Sequence, residues 1–193
     1  SYSVTGVQTC ALPIFMAVKD GRISALGPLA EGEKREAAQR IRAPRAFVMP
    51  GFVNVHTHIS MAAFRGACED MPDRLTRFIF PMERDLMDRD LTYWSALHSL
   101  VEMARSGTTT FADMYYFEDE VAKAADAAGL RAILGETILG HAAPDAHEGY
   151  GGIEYARRFI KEWKGHPRIQ PCFAPHAPDR KSTRLNSSHR IRS

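Results

Sequence analysis

Two histidines two residues apart, His56 and His58, close the apolar run Pro50-Gly51-Phe52-Val53-Asn54-Val55. On a strand, residues i and i+2 share a face, so both imidazoles can converge on one point. Imidazole is the commonest neutral metal ligand and holds zinc at about 2.0–2.1 Å. The pair is therefore read as part of a divalent-metal site, with zinc expected and iron as the alternative. The plainer reading is two histidines that happen to end a strand.

Other groups with chemistry to offer sit near the ends of apolar runs further along: Asp113 in TTTFADM, Glu136 in RAILGETI and His176 after IQPCFAP. Pro175 and Pro178 restrict the backbone around His176 and fix its ring, which suits contact with a substrate or a metal; a histidine in a turn is the alternative. Asp113 reads more readily as a cap for the segment that follows it than as a metal ligand. Glu136 is either a site group or a solvated loop carboxylate. Glu83, in RLTRFIFPMERDL, reads by itself as a surface carboxylate on an amphipathic helix. His98 falls inside a helix, His141, His147 and His166 fall in loops, and Met61, Met71, Met82 and Met87 are most simply core filling.

The elements that must position these groups alternate. Residues 16–28 read as a hairpin around Lys19-Asp20-Gly21, since Asp-Gly between apolar runs is a strong turn signal. Residues 29–45 show no convincing periodicity, and a helix is expected over roughly 73–87. The spacing of Leu91, Trp94, Leu97, Val101 and Ala104 predicts a helix over 90–105, with Asp90 as N-cap and Gly107 past its end. A strand at 108–114, a helix at 118–128 stopped by Gly129, a strand at 131–138, a helix at 153–164 stopped by Gly165 and a strand at 169–174 complete the pattern. In the helix at 153–164, Ile153, Ala156, Phe159, Ile160 and Trp163 are expected to face inward. Strands alternating with helices of this length argue for parallel βαβ units. The expected class is α/β: the N-terminal half of a TIM (β/α)8 barrel, whose full size is around 250 residues, with part of a small β-sandwich domain.

The chain ends need separate treatment. Read back into codons, Val4–Ile14 and Asp179–His189 give DNA strings that are reverse complements of each other, the signature of one sequencing adapter read in opposite directions. Residues 1–15 and 179–193 are accordingly expected to be adapter-derived, 16–48 a partial β-sandwich and 49–178 the first four βα units. Setting those ends aside turns the formal charge of +2 slightly negative, which removes any electrostatic case for a nucleic-acid or membrane partner. Cys68 and Cys172 form no pairing pattern, which suits a reducing cytoplasm. No run of about 18 apolar residues suggests a membrane span.

The segments PGFVNVHTHISMAAFRG (50–66), FPMERDL (80–86), SGTTTFADMYY (106–116) and APHAP (174–178) resemble the amidohydrolase superfamily, in the branch that holds S-adenosylhomocysteine/5′-methylthioadenosine deaminases, guanine and cytosine deaminases and triazine chlorohydrolases. The resemblance implies that His56 and His58 ligate the metal, that Glu83 contacts the ribose-like part of a nucleoside, and that His176 contacts substrate. It also implies that the remaining metal ligands and the proton-handling groups come from later strands, so no catalytic residue is expected within this chain. Where adenosine-type deaminases tend to carry an arginine at the end of the third strand, this chain has Gly135-Glu136-Thr137.

The expected parent is thus a metal-dependent hydrolase that deaminates a small-molecule heterocycle of purine, nucleoside or pterin type, and a homo-oligomeric parent is compatible with this reading. A chlorohydrolase or cyclic-amide hydrolase, and a non-catalytic barrel, are the alternatives. The chain by itself is expected to be inactive and prone to aggregate, because half a barrel leaves open strand edges.

Overall fold

The computed structural model of the protein describes residues 14–43 and 46–176. The adapter-like stretches at 1–13 and 179–193, and Pro178, lie outside the described residues. The chain divides into two compact units, 1–49 and 50–193.

In the first unit, β1 (Ile14–Lys19) and β2 (Arg22–Pro28) pair antiparallel, with Lys19 opposite Arg22. The two residues between them, Asp20 and Gly21, have φ of 52° and 72°. Two positive φ values are what a tight turn matching the twist of the strands requires, so the Asp-Gly signal acts through its backbone freedom. Ile14 and Phe15, expected to be adapter-derived, pair with Pro28 and Gly27. Both are good strand formers and continue β1 without a break. Phe15 also packs on Gly32 of α1 (Leu29–Glu33), a short helix where no element was expected.

The second unit carries a parallel sheet of β3 (Phe52–Thr57), β4 (Thr108–Tyr115), β5 (Arg131–Ile138) and β6 (Ile169–Pro175), in the order β3-β4-β5-β6. Sequential parallel neighbours joined by α3 (Arg89–Arg105), α4 (Glu118–Ala128) and α5 (Gly152–Trp163) are the winding of a barrel rather than of an open, doubly wound sheet. The helices pack on the sheet through one core: Phe111, Ala132, Leu134 and Ile169 of the strands meet Leu100, Val121, Ala125 and Phe159. Strand alternation sorts the rest. Phe111, Asp113 and Tyr115 of β4 are buried on the helix side, while Thr110, Ala112 and Met114 between them are half-buried on the other face.

Two helices differ from expectation. The N-cap of α3 is Asp88, whose Oδ1 accepts from the Leu91 N–H at 2.8 Å; Asp90 lies in the first turn. Its buried face is Thr92, Ser95, Ala96, Ser99 and Leu100, and Trp94 and Val101 of the expected apolar stripe are exposed. Small and hydroxyl residues are buried there because the 3₁₀ turn Ile59–Phe64 lies against the helix: Ser99 donates to the Ile59 carbonyl, and Ser60 donates to that of Thr92. The helix expected over 73–87 is a π-helical turn, Leu75–Ile79, leading into α2 (Phe80–Leu86). Pro81 lacks the N–H that a regular turn would use, and the backbone widens just before it. Among the described residues, no helix is long and apolar enough to cross a membrane.

α5 begins against the end of β5 with no space to spare. A Cβ on Gly152 would stand 2.3 Å from the Thr137 carbonyl oxygen. Gly152→Ala is expected to lower stability by about 1–3 kcal/mol, read as a fall in the urea midpoint at unchanged slope.

Candidate metal centre

His56 is the penultimate residue of β3, and its neighbour Thr57 is turned to the helix side, where it meets Asp113. Alternation therefore turns His56 to the opposite, lumen-type face. His58 follows the strand directly. The two rings stand 5.1 Å apart between centroids, with planes at 77°. Nδ1 of His58 lies 2.6 Å from the Met114 carbonyl oxygen. A carbonyl only accepts, so Nδ1 carries the hydrogen and the lone pair sits on Nε2, the tautomer a metal ligand needs. Two imidazoles at this separation, one of them fixed in tautomer, fit a divalent cation held by ring nitrogens at about 2 Å each. Among the described residues, no group of three or more histidines, cysteines, aspartates or glutamates is arranged to hold a metal.

Glu83 is not the surface carboxylate that its sequence context suggests. It is buried on α2, and its Oε1 accepts from the Tyr115 hydroxyl at 2.6 Å. Tyr115 in turn stands 6.3 Å from the His58 ring and 4.8 Å from that of Tyr116. Burial pushes the Glu83 carboxyl up, while the Tyr115 hydrogen bond, the nearby His58 and Tyr116 pull it down. Both tyrosine hydroxyls are raised, by burial first and by the Glu83 charge second, so they stay donors at ordinary pH. The missed signal was in the spacing: Ile79, Glu83 and Met87 are all buried, an acid within an i, i+4, i+8 stripe.

The two other carboxylates fall on the side away from His56. Asp113 is buried toward the helices, where Oδ1 accepts from Thr57 Oγ1 at 2.6 Å and from the Ile59 N–H at 3.0 Å. Glu136 stands beside Tyr115 in register and is fully buried, which corrects the reading of a solvated loop carboxylate. Its Oε2 accepts from the Glu118 N–H at 3.1 Å and so anchors the first turn of α4. Sequence reasoning gave no role to Glu118 or Asp145, which complete this acidic patch. Asp145 accepts from the N–H of Phe117, a residue held at φ 54° where β4 turns into α4. His176 follows β6 at the same end of the sheet as His56 and His58, and its N–H donates to the Ile138 carbonyl at 3.0 Å.

Residues 47–180, most of the second unit, match the family model described as the amidohydrolase family. The chain belongs to that family. Its relatives include a 5-methylthioadenosine/S-adenosylhomocysteine deaminase 1 of Syntrophus aciditrophicus, 37% identical over 182 residues, which cover 89% of this amidohydrolase chain and 41% of that protein. A 5′-deoxyadenosine deaminase of Methanosarcina mazei is 39% identical over 168 residues, covering 85% of this chain and 38% of that one. A solved adenosine deaminase from Xanthomonas campestris with bound zinc superposes with a TM-score of 0.78 at 32% identity, over 83% of this chain and 37% of that structure. The chain thus spans about two fifths of the length of these relatives. The shared fold makes the four-stranded sheet the N-terminal part of a barrel of the amidohydrolase type.

The buried acids give a pH dependence whose sign follows from their shifts. Burial, and then Asp145, push Glu136 well above its ordinary 4.5. A group raised in the folded state adds stability that is full below 4.5 and drains away as pH climbs through the raised value. Glu136→Gln keeps an acceptor for the Glu118 N–H and removes the titration. The variant is expected to gain melting temperature relative to the parent at pH 8 and little at pH 4.5, so parallel melting curves across that range would count against the assignment.

Proposed function

We propose that the whole protein is a metal-dependent deaminase of an amino-substituted purine nucleoside, with His56 and His58 as two of its metal ligands. The observation that carries this reading is the juxtaposition at one end of the sheet: two imidazoles 5.1 Å apart, with buried Glu83 held by a tyrosine that also meets His58. A zinc-bound adenosine deaminase structure and nucleoside deaminases among the relatives support it. Zinc is the preferred ion, since neutral imidazoles are its ordinary ligands.

When bound, the ion supplies water activated for attack near neutral pH. The chain's own residues do the positioning. His56 and His58 present ring nitrogens, and Met114 keeps the second of them in the right tautomer. Glu83 accepts from Tyr115 and keeps lone pairs for the hydroxyls of a ribose. His176 lines the same strand ends and meets the substrate base. Two imidazoles are fewer than the three protein ligands usual for catalytic zinc, so the remaining donors and the proton-handling groups come from beyond the described residues. The hairpin of the first unit belongs, in this reading, to a small β domain that accompanies the barrel.

Ammonia release from adenosine, 5′-deoxyadenosine, 5′-methylthioadenosine, S-adenosylhomocysteine, guanine and a chlorotriazine tests the reaction directly. Turnover of an adenosine-type nucleoside is expected; chloride release alone would replace this reading with that of a chlorohydrolase. His56→Ala combined with His58→Ala is expected to drop metal content well below one ion per chain and abolish turnover. Glu83→Gln should cost roughly ten- to a hundredfold in kcat/KM, the worth of one charged hydrogen bond, with metal content unchanged.

A further inference from the structure

We propose that Asp113 is a positioning residue for His58: a single buried carboxylate oxygen grips the backbone segment on both sides of that imidazole. The proposal rests on the metal reading of His58 given above and deepens it. The contacts are specific. Oδ1 of Asp113 accepts from Thr57 Oγ1 at 2.6 Å and from the Ile59 N–H at 3.0 Å, the residues immediately before and after His58. The next residue of β4, Met114, takes the ring itself through Nδ1, and the preceding one, Ala112, places its carbonyl 2.7 Å from Thr57 Oγ1, where it shares that hydroxyl's single hydrogen with Asp113 Oδ1. Three consecutive residues of β4 therefore hold three consecutive residues around the imidazole.

This grip replaces something the sheet does not supply. The β4–β5 ladder runs in unbroken register, but the β3–β4 ladder shifts between Phe52 and Val53 and again between Asn54 and Thr57, the stretch that contains His56. His56 has no paired residue across the ladder there, and His58 has left the strand at φ −138°, ψ 71°. The ladder pairs Thr57 with Asp113 but gives His56 and His58 no partner of their own, and the side chain of Asp113 adds a hold on either side of His58. A simple helix cap would need only the Ile59 N–H, and a short hydroxyl would serve. A buried carboxylate that also takes Thr57 closes a loop around His58.

The far side of Asp113 accounts for its burial. Oδ2 of Asp113 and both carboxylate oxygens of Glu118 are buried with no N–H or O–H donor. Glu118 is wholly buried and pressed against Asp113, and burial, followed by the Asp113 and Glu136 charges, pushes it well above the ordinary carboxylate range. Burial also raises Asp113, less far, so of the two carboxyls Glu118 is the one whose protonated form is favoured beside Oδ2.

The test measures zinc affinity of the whole protein by chelator competition, together with the His58 tautomer in the metal-free protein by 15N NMR. Asp113→Ala is expected to weaken zinc binding about 10- to 100-fold and to mix the two tautomers of His58. Asp113→Asn keeps Oδ1 as an acceptor and turns its amide toward Glu118, so it is expected to stay within roughly threefold of the parent. Thr57→Val removes one of the two grips and is expected to weaken zinc by roughly three- to tenfold; if Asp113→Ala does not fold, this variant decides. Parent-like affinity and tautomer in a folded Asp113→Ala, or in Thr57→Val, overturn the proposal, as does an Asp113→Asn that loses as much as alanine. If the parent itself binds no zinc, the metal reading falls instead, and the tautomer shift alone judges the grip.

Discussion

The hydrogen bond from Nδ1 of His58 to the Met114 carbonyl, 2.6 Å long, joins the end of the opening strand of the sheet to its neighbour, beside His56. It spends the donor nitrogen of the ring on a fixed backbone acceptor and leaves the other nitrogen with a lone pair. Everything else at that end of the sheet is arranged with respect to it. Tyr115 follows Met114 and meets both the His58 ring and Glu83, and Asp113 precedes it and holds the backbone on either side of the same histidine. Four residues of one strand, from Ala112 to Tyr115, thus fix an imidazole, its tautomer and a buried carboxylate.

Strand alternation divides labour between the faces. The lumen-type face receives His56, while Asp113 and Glu136 are turned to the helices and serve the first turns that follow. Burying such acids is costly unless donors meet them, and here the donors are main-chain N–H groups and a threonine hydroxyl. Further out, Arg89 ties Asp119 and Glu120 of α4 to Tyr155 of α5, so the same end of the unit is stitched from the outside as well. The helices are thereby locked to the strand ends they follow.

Much of this was legible in the sequence. The limits of β5 and α4 agree with their apolar runs and with Gly129, whose φ of 76° ends the helix in the left-handed region. The hairpin was legible because Asp-Gly has one cheap conformation there. What escaped has physical reasons. The apolar period of α3 pointed to Trp94 and Val101, but close packing against the turn at 59–64 selects serine, threonine and alanine for the buried face. Glu83 looked solvated and Glu136 was open between site group and solvated carboxylate, because a carboxylate is ordinarily on the surface; only long-range partners, Tyr115 and the Glu118 N–H, make their burial tolerable. Such partners are set by the pairing of strands and helices, which no local window of residues contains.

β3 borders only β4 among the described strands, and its Phe52, Val53 and Val55 are exposed. The strand that offers the imidazoles is therefore the least buttressed of the four. Under the proposed metal reading, ligation and consolidation of that strand become a single thermodynamic event: an ion that binds only the ordered form adds RT ln(1 + [ion]/Kd) to the free energy holding it in place. Chelation would then do more than silence chemistry. It would let the first strand of the sheet fray, exposing its apolar edge to whatever else is in solution.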